Sequence, residues 1–374
     1  MSRAIRSWLQ APGRRYLLAA LLLLLWGLGL RLWPQGAPGS QLADMQQRRQ
    51  HDIDRVQHQA APGPDGLRLS WLPVASVKPG VPGGLLRFGE LRPQAQPQVD
   101  VLFLHGHADR LDNHMALFRA WQHSGARVIA LDWPSHGGSH IGPLDMYEAE
   151  DLFALVQLVE RATLQDPQRP LVLAGWSYGG LIATRLLQHS DALQGLSRRP
   201  AGLLLLAPGV VLQPFVGGDG IARVETLMHA PYTPLAGPPS PASPLLNPVF
   251  ALRTLVLAQL AQQALLPSDI PVQVIVGDAR NDWYVNTQGV IDWSRRQQAG
   301  GVPLQLLQCP DARHALDTEP WPLGQRVREL GVQFVQRVGG AGWPPAIDAA
   351  TATPTPQDSC TALPALGLAG GAAP

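Results

Sequence analysis

Six segments of this chain are apolar almost without interruption: VDVLFLHG (Val99–Gly106), ARVIALDW (Ala126–Trp133), PLVLAG (Pro170–Gly175), AGLLLLAPG (Ala201–Gly209), PVQVIVGD (Pro271–Asp278) and VPLQLLQCPD (Val302–Asp311). A strand with no polar face must be covered on both sides. Helical patterns fall between these segments. DNHMALFRAWQHSG (Asp112–Gly125) reads as a helix capped by Asp112, with Met115, Phe118 and Trp121 on one face and Gly125 as its stop. YEAEDLFALVQLVERA turns Leu152, Leu155, Val156 and Val159 inward, and YGGLIATRLLQHS, NTQGVIDWSRRQQ and WPLGQRVRELGVQFVQRV continue the alternation. Two earlier runs, LRLSWLP and GLLRFGELRP, read as an antiparallel edge. The expected fold class is therefore α/β, with a mostly parallel central sheet and helices on both faces.

One interval breaks the rhythm. From about residue 211 to 268 a proline-rich loop, HAPYTPLAGPPSPASP, leads into an apolar helix, NPVFALRTLVLAQLAQQALL. An insertion of this kind between two strands suits a helical cap. Outside the alternating region, residues 34–62 read as a polar linker, and residues 340–374, dominated by Ala, Pro, Thr and Gly, are expected to be disordered. The core domain is then residues 63–339. Gly (38) and Pro (36) are abundant in the 374 residues, which fits this share of loop and tail.

Residues 1–33 carry a different signal. Arg3, Arg6, Arg14 and Arg15 precede the uncharged run Tyr16–Leu30, and only Arg31 follows closely. That asymmetry places the N-terminus in the cytoplasm and the remainder on the outer, periplasmic or extracellular, side of a membrane. The run is short against the roughly 20 residues of a spanning helix, but Leu32 and Trp33 extend it if Arg31 snorkels. The expectation is a membrane anchor. A signal segment cleaved to give a secreted protein is the alternative, although no clear A-x-A site follows. The formal net charge of +1 offers no basic field for nucleic acid. The two cysteines, Cys309 and Cys360, have no metal-ligand spacing, and a bridge between them is open.

The chemistry is concentrated in PLVLAGWSYGGLIATRLL, which reads strand, then G-x-S-x-G, then helix. In that context Ser177 sits on a tight turn at the mouth of the sheet, and Gly175 and Gly179 are small because strand and helix come too close for side chains. Ser177 is the candidate nucleophile, and the backbone N–H of Tyr178 is positioned to face a developing oxyanion. Serine needs a base. Of the histidines after Ser177, His189 lies on the following helix, His229 in the cap and His314 in the loop after the last strand, so His314 is the candidate base. The acid belongs in the loop GDARNDWYV, where Asp278 and Asp282 compete. A second oxyanion donor is expected after VLFLHG, where Gly106 permits a sharp turn and the N–H of His107 is the candidate. His105 reads as a structural histidine holding that loop.

These residues resemble the α/β-hydrolase family, in its lysophospholipase and monoacylglycerol-lipase-like branch, often grouped with serine aminopeptidases. The resemblance covers roughly residues 65–339. LFLHGHADRLDNHMALFRAWQHSGARVIALDWPSHGGS is similar to the branch's HG loop, helix and D-x-x-G-H-G-x-S segment, with Asp132, His136, Gly137 and Ser139 in place and Ser135 where glycine is usual. GWSYGG resembles G-x-S-x-G-G, and ARHALDTE resembles A-x-H-x-L-x-x-E. GDARNDWYV resembles G-x-x-D-x-x-V with two extra residues after Gly277, and this match implies Asp282 as the acid, leaving Asp278 as a turn residue.

The resemblance implies an α/β-hydrolase fold and acyl transfer through Ser177, His314 and Asp282, with no metal or organic cofactor. A lipid ester of the monoacylglycerol or lysophospholipid kind is the expected substrate. The apolar cap helix, with Phe250, Leu252, Leu255, Val256 and Leu260, either lines an acyl site or packs one face on the core. A peptidase or amidase on the same triad is the alternative, but the cap shows no acidic cluster to hold a peptide terminus. A non-catalytic binding protein on this scaffold is a further alternative, and loss of a triad member would be its mark.

Overall fold

A computed structural model of the protein describes residues 61–76, 81, 83–213, 248–340 and 360–364. The N-terminal anchor or signal segment, all of the linker but its last two residues, His229 and residues 214–247 of the cap lie outside the described residues. Among the described residues no helix is long and apolar enough to cross a membrane.

Among the described residues ten strands form one sheet: β1 (Ala61–Pro62), β2 (Arg68–Val74), β3 (Gly84–Leu91), β4 (Val99–Leu104), β5 (Ala126–Leu131), β6 (Leu171–Trp176), β7 (Gly202–Leu206), β8 (Val272–Val276), β9 (Leu304–Gln308) and β10 (Thr361–Ala362). Their order is β1-β2-β3-β5-β4-β6-β7-β8-β9-β10. The stretch from β5 to β9 is parallel, and β1, β2, β3 and β10 pair antiparallel at the edges. Each apolar run of the sequence is a central strand, and the two early runs form the antiparallel edge.

The helices explain why those strands lack polar faces. Helices α1 (Met115–His123), α2 (Ala149–Thr163), α3 (Tyr178–Gln188), α4 (Ser190–Gln194), α5 (Pro248–Gln263), α6 (Thr287–Ala299) and α7 (Leu323–Gly339) cover both sides of the sheet. On β4, Leu102 and Leu104 enter the cluster formed with α2, α3, α5 and α6, while Val101 and Phe103 enter the one formed with α1 and α7. Alternate residues therefore feed different cores, which makes the middle of the strand apolar on both faces, while Asp100 at its start is buried against Arg127, Arg169 and Arg198.

Three expectations are corrected. Asp112 does not cap α1. It lies in a preceding 3-10 turn, Leu111–His114, and its carboxylate pairs with Arg87 Nη2 at 2.8 Å. The linker does not run to residue 62, because Ala61 and Pro62 pair with β2. The tail beyond residue 340 is not without structure throughout: Cys360 is bonded to Cys309, and Thr361–Ala362 extends the sheet beyond β9. The disulfide brings the segment to a sheet edge whose free backbone groups accept it, as in the Leu363 N–H to Leu306 carbonyl bond of 2.9 Å.

The cap helix α5 packs one face on the body, burying Phe250, Ala258 and Ala261. Gln188 of α3 donates to the carbonyls of Ala261 and Ala264, and Arg253 pairs with Glu148 at 2.8 Å. Leu252, Leu255, Val256 and Leu260 are exposed, Leu252 by 64%.

Candidate active site

The site lies at the carboxyl ends of β4, β6, β8 and β9, where a parallel sheet presents its loops. Ser177 occupies the turn between β6 and α3 with φ 54°, ψ −118°, a backbone conformation that side chains rarely adopt. Two glycines make this turn possible. A Cβ on Gly179 would lie 2.0 Å from the Leu104 carbonyl oxygen, and one on Gly106 would lie 2.7 Å from the Trp176 ring and 3.1 Å from Ser177 Cβ. The end of β4 thus abuts the serine directly. The Tyr178 N–H belongs to the first turn of α3, where amides have no partner within the helix.

His314 lies in the loop after β9 and is buried. Its Nε2 is 2.8 Å from Ser177 Oγ, and its Nδ1 is 3.0 Å from Asp282 Oδ2. The consistent assignment has the serine hydroxyl donating to Nε2 and Nδ1–H donating to Asp282. The other oxygen of Asp282 accepts the N–H groups of Tyr284 (3.0 Å) and Val285 (2.8 Å), which holds the carboxylate in place. Trp176 Nε1–H donates to the His314 carbonyl at 2.9 Å, tying the histidine's loop to the strand before the serine.

Asp278 is elsewhere. Its carboxylate accepts from Arg280 Nη2 at 2.7 Å and from the Arg280 N–H at 2.8 Å, and these bonds hold it well below the usual carboxylate range. The structure therefore brings Asp282, not Asp278, to His314.

The β4 loop is braced from behind. His105 is buried and neutral, because burial lowers its pKa. Its Nδ1–H donates to the Gly106 carbonyl (2.7 Å), its Nε2 accepts the Trp133 N–H (3.2 Å), and its carbonyl accepts Trp133 Nε1–H (2.7 Å). It holds the loop, as its place in the sequence indicates. His136 adds a second brace: its Nε2 accepts the N–H of Ala108 at 3.0 Å, and burial keeps it neutral and able to accept. Asp132 accepts the N–H groups of Leu111 (2.9 Å) and Gly138 (2.8 Å) and the Nε–H of Arg87. Ser135 has φ 59°, which is why glycine is usual there; its hydroxyl accepts the Leu144 N–H at 3.3 Å.

His107 faces the cap. Its ring stacks on Phe250 of α5 with centroids 4.4 Å apart, and Phe250 also meets Tyr178 at 5.1 Å. Burial and the nearby His105 lower the His107 pKa to about 4, so the ring is uncharged near neutrality. The arrangement is able to draw a proton from Ser177 Oγ into His314, beside an uncharged wall made by His107, Tyr178 and Phe250. Among the described residues no group of His, Cys, Asp and Glu could hold a metal ion.

The model of the alpha/beta hydrolase family matches residues 101–358. The chain belongs to the alpha/beta hydrolase family. No curated protein matches this hydrolase in sequence. Among solved structures it is similar to a lipase in its open form, with 18% identity, TM-score 0.54, and coverage of 73% of this chain and 100% of that one. It is also similar to a soluble variant of the Saccharomyces cerevisiae monoglyceride lipase in complex with a substrate analog (17%, TM-score 0.52, 68% and 93%). A carboxyl esterase from Bacillus coagulans in complex with glycerol gives 17%, TM-score 0.51, and 73% and 99%. At such identities these likenesses speak for the fold alone.

Proposed function

We propose that the protein is a serine hydrolase of carboxylic esters, acting on monoacylglycerol or lysophospholipid-like lipid esters as in the lysophospholipase branch. The observation that carries this reading is the hydrogen-bonded chain from Ser177 Oγ to His314 and from His314 to Asp282, built on a strained turn against the β4 loop. Ser177 Oγ attacks the ester carbonyl carbon as His314 Nε2 takes its proton. The carbonyl π pair moves to oxygen, and the N–H groups of His107 and Tyr178 stabilise that oxyanion. When the tetrahedral intermediate collapses, the C–O bond to the alcohol breaks and His314 returns the proton to the leaving oxygen. Water then attacks the acyl-serine with His314 again as base, releasing the acid and restoring Ser177. Asp282 holds the imidazole in its tautomer and stabilises the imidazolium.

The apolar, uncharged wall beside the serine supports an acyl chain rather than a charged peptide terminus. The N-terminal segment would act as a membrane anchor that keeps the catalytic domain near lipid on the outer side. The Cys309–Cys360 bond supports that location, because disulfides persist in oxidising compartments.

A fluorophosphonate probe tests the chemistry. The wild type should label, the Ser177→Ala variant should not, and His314→Ala should label far more slowly. Turnover of monoacylglycerol and lysophospholipid, set against an aminoacyl amide, tests the substrate class. A folded wild type that takes no label in detergent, or prefers the amide, would overturn the reading.

A further inference from the structure

A second histidine, with no hydrogen bond to the serine or to His314, lies beneath three of the site's loops. His114 is fully buried. Its Nε2 is 2.7 Å from Asp109 Oδ2, in the loop after β4, and its Nδ1 is 2.8 Å from Asp317 Oδ2, in the turn directly after His314. The ring also lies 5.4 Å from that of Trp176, the residue before Ser177, and 4.7 Å from that of Phe103 on β4. Asp109 is held on its far side through its carboxylate, and Asp317 through its backbone. Asn113 Nδ2 donates to Asp109 Oδ1 at 2.5 Å, and Arg328 of α7 donates to the Asp317 carbonyl at 2.6 Å.

We propose that His114 is a positioning residue: through Asp317 it fixes the loop that carries His314, and through Asp109 the loop that carries the N–H of His107. The inference rests on the ester-hydrolase reading for its effect on rate, but not for the clamp itself. Neither bond path involves substrate, so His114 acts only through its partners.

The chemistry requires a charged ring. A neutral imidazole has one N–H and one lone pair, so it could satisfy only one of two facing carboxylates. With both nitrogens protonated, each contact is a charge-assisted hydrogen bond. The groups around the ring agree. Asp109 and Asp317 are the carboxylates that face it, and His105, the ring that feels its charge, is kept neutral by burial. Burial works against the charge, but the two carboxylates outweigh it and raise His114 to about 10. The sign follows. The ordinary histidine value is about 6.5, so the clamp's contribution is complete below that pH and is lost as pH rises through about 10.

The test uses the full chain in detergent with a soluble p-nitrophenyl ester as the probe substrate. In His114→Gln, kcat should fall on the order of 10- to 100-fold, the cost of a roughly 1 Å misplacement, with KM within about twofold. Asp317→Asn and Asp109→Asn should each show a smaller fall in kcat. The triple variant Asp109→Asn, His114→Gln, Asp317→Asn removes the unpaired buried carboxylates and should recover part of the loss. The imidazole resonances of His114 should report a protonated ring well above the ordinary histidine range. A folded His114→Gln enzyme with wild-type kcat, or a ring that titrates near 6.5, overturns the proposal. If the wild type itself neither turns over nor labels, the ester-hydrolase reading fails separately. Amide exchange then decides the clamp: His114→Gln should speed exchange in both the 107–111 and 312–319 loops, and unchanged exchange in either would sink it.

Discussion

The floor of the site and its roof are built differently. On the floor, the loops after β4, β5, β6, β8 and β9 are locked to one another by buried and part-buried hydrogen bonds: Asp282 to His314, Trp176 to the His314 carbonyl, His136 to Ala108, His114 to Asp109 and Asp317. On the roof, α5 reaches the site through one ring, Phe250, and turns Leu252 (64% exposed) and Val256 (53%) outward. The difference teaches where each property resides. Geometry that must be kept within tenths of an ångström is held by polar bonds between loops, whereas an apolar helix that, among the described residues, meets the site through the Phe250 ring can change without disturbing the reacting atoms.

The largest effects should therefore fall on the floor. Ser177→Ala should lower kcat by on the order of 10⁴-fold or more, about 5.5 kcal/mol of barrier, in a steady-state ester assay. Asp282→Asn should lose about as much, because the amide no longer fixes the imidazole tautomer. Asp278→Asn should leave kcat within about twofold, since its carboxylate is bonded to Arg280 rather than to His314. Equal losses at the two aspartates would break the assignment of Asp282.

That pair also shows how far the residues alone could be read. Both aspartates follow one strand within a short loop, and no periodicity tells one from the other; only the family's spacing pointed to Asp282. Ser177 and His314 were legible because the elbow and the loop after the last strand are local patterns. The sheet was legible because two-sided burial leaves runs such as VLFL (residues 101–104) with no polar position. What could not be read depends on distance along the chain. His114 and Asp317 meet from positions 203 residues apart, and within DNHMALFRAW a histidine looks like any other helix-start residue. The Cys309–Cys360 link and β10 sit in a segment whose Ala, Pro and Thr signal no strand. Helix α5 is apolar on nearly every side, so its sequence did not reveal which face would pack.

Next in size is the disulfide, which fastens β10 beside the strand that leads into the His314 loop. Closing a loop with a sequence separation of 51 residues is worth about 4 kcal/mol by chain entropy. Cys309→Ser with Cys360→Ser, or reduction of the wild type, should lower the thermal midpoint by several degrees. It should also lower kcat less than any floor variant does. An unchanged midpoint would mean that the tail strand contributes nothing to the floor.

The roof should respond in selectivity instead. Phe250→Ala removes the ring stacked on His107 and should raise KM for long acyl esters by about tenfold, roughly 1.4 kcal/mol, with kcat for a short ester nearly unchanged. A matching fall in kcat for the short ester would show that Phe250 holds the oxyanion loop and is part of the floor.

The smallest effect joins the two regions. His107 is held neutral where floor and roof meet, with its pKa lowered to about 4 against an ordinary 6.5. Below pH 6.5 the unfolded chain binds a proton that the folded protein refuses, so the stability due to this group is complete above that value. It is lost as pH falls toward about 4. His107→Phe keeps the backbone N–H and the stack on Phe250 but removes the titration. Its unfolding midpoint in urea should therefore vary less between pH 6.5 and pH 4 than the wild type's, while kcat near neutrality stays within a few-fold. His136 loses stability in the same direction, since a protonated Nε2 could no longer accept the Ala108 N–H. Some acid sensitivity must then survive in the His107→Phe variant. If the variant and the wild type follow the same acid profile, the seam between floor and roof is not where the acid sensitivity arises, and the buried histidines beneath the loop, His105 and His136, carry it instead.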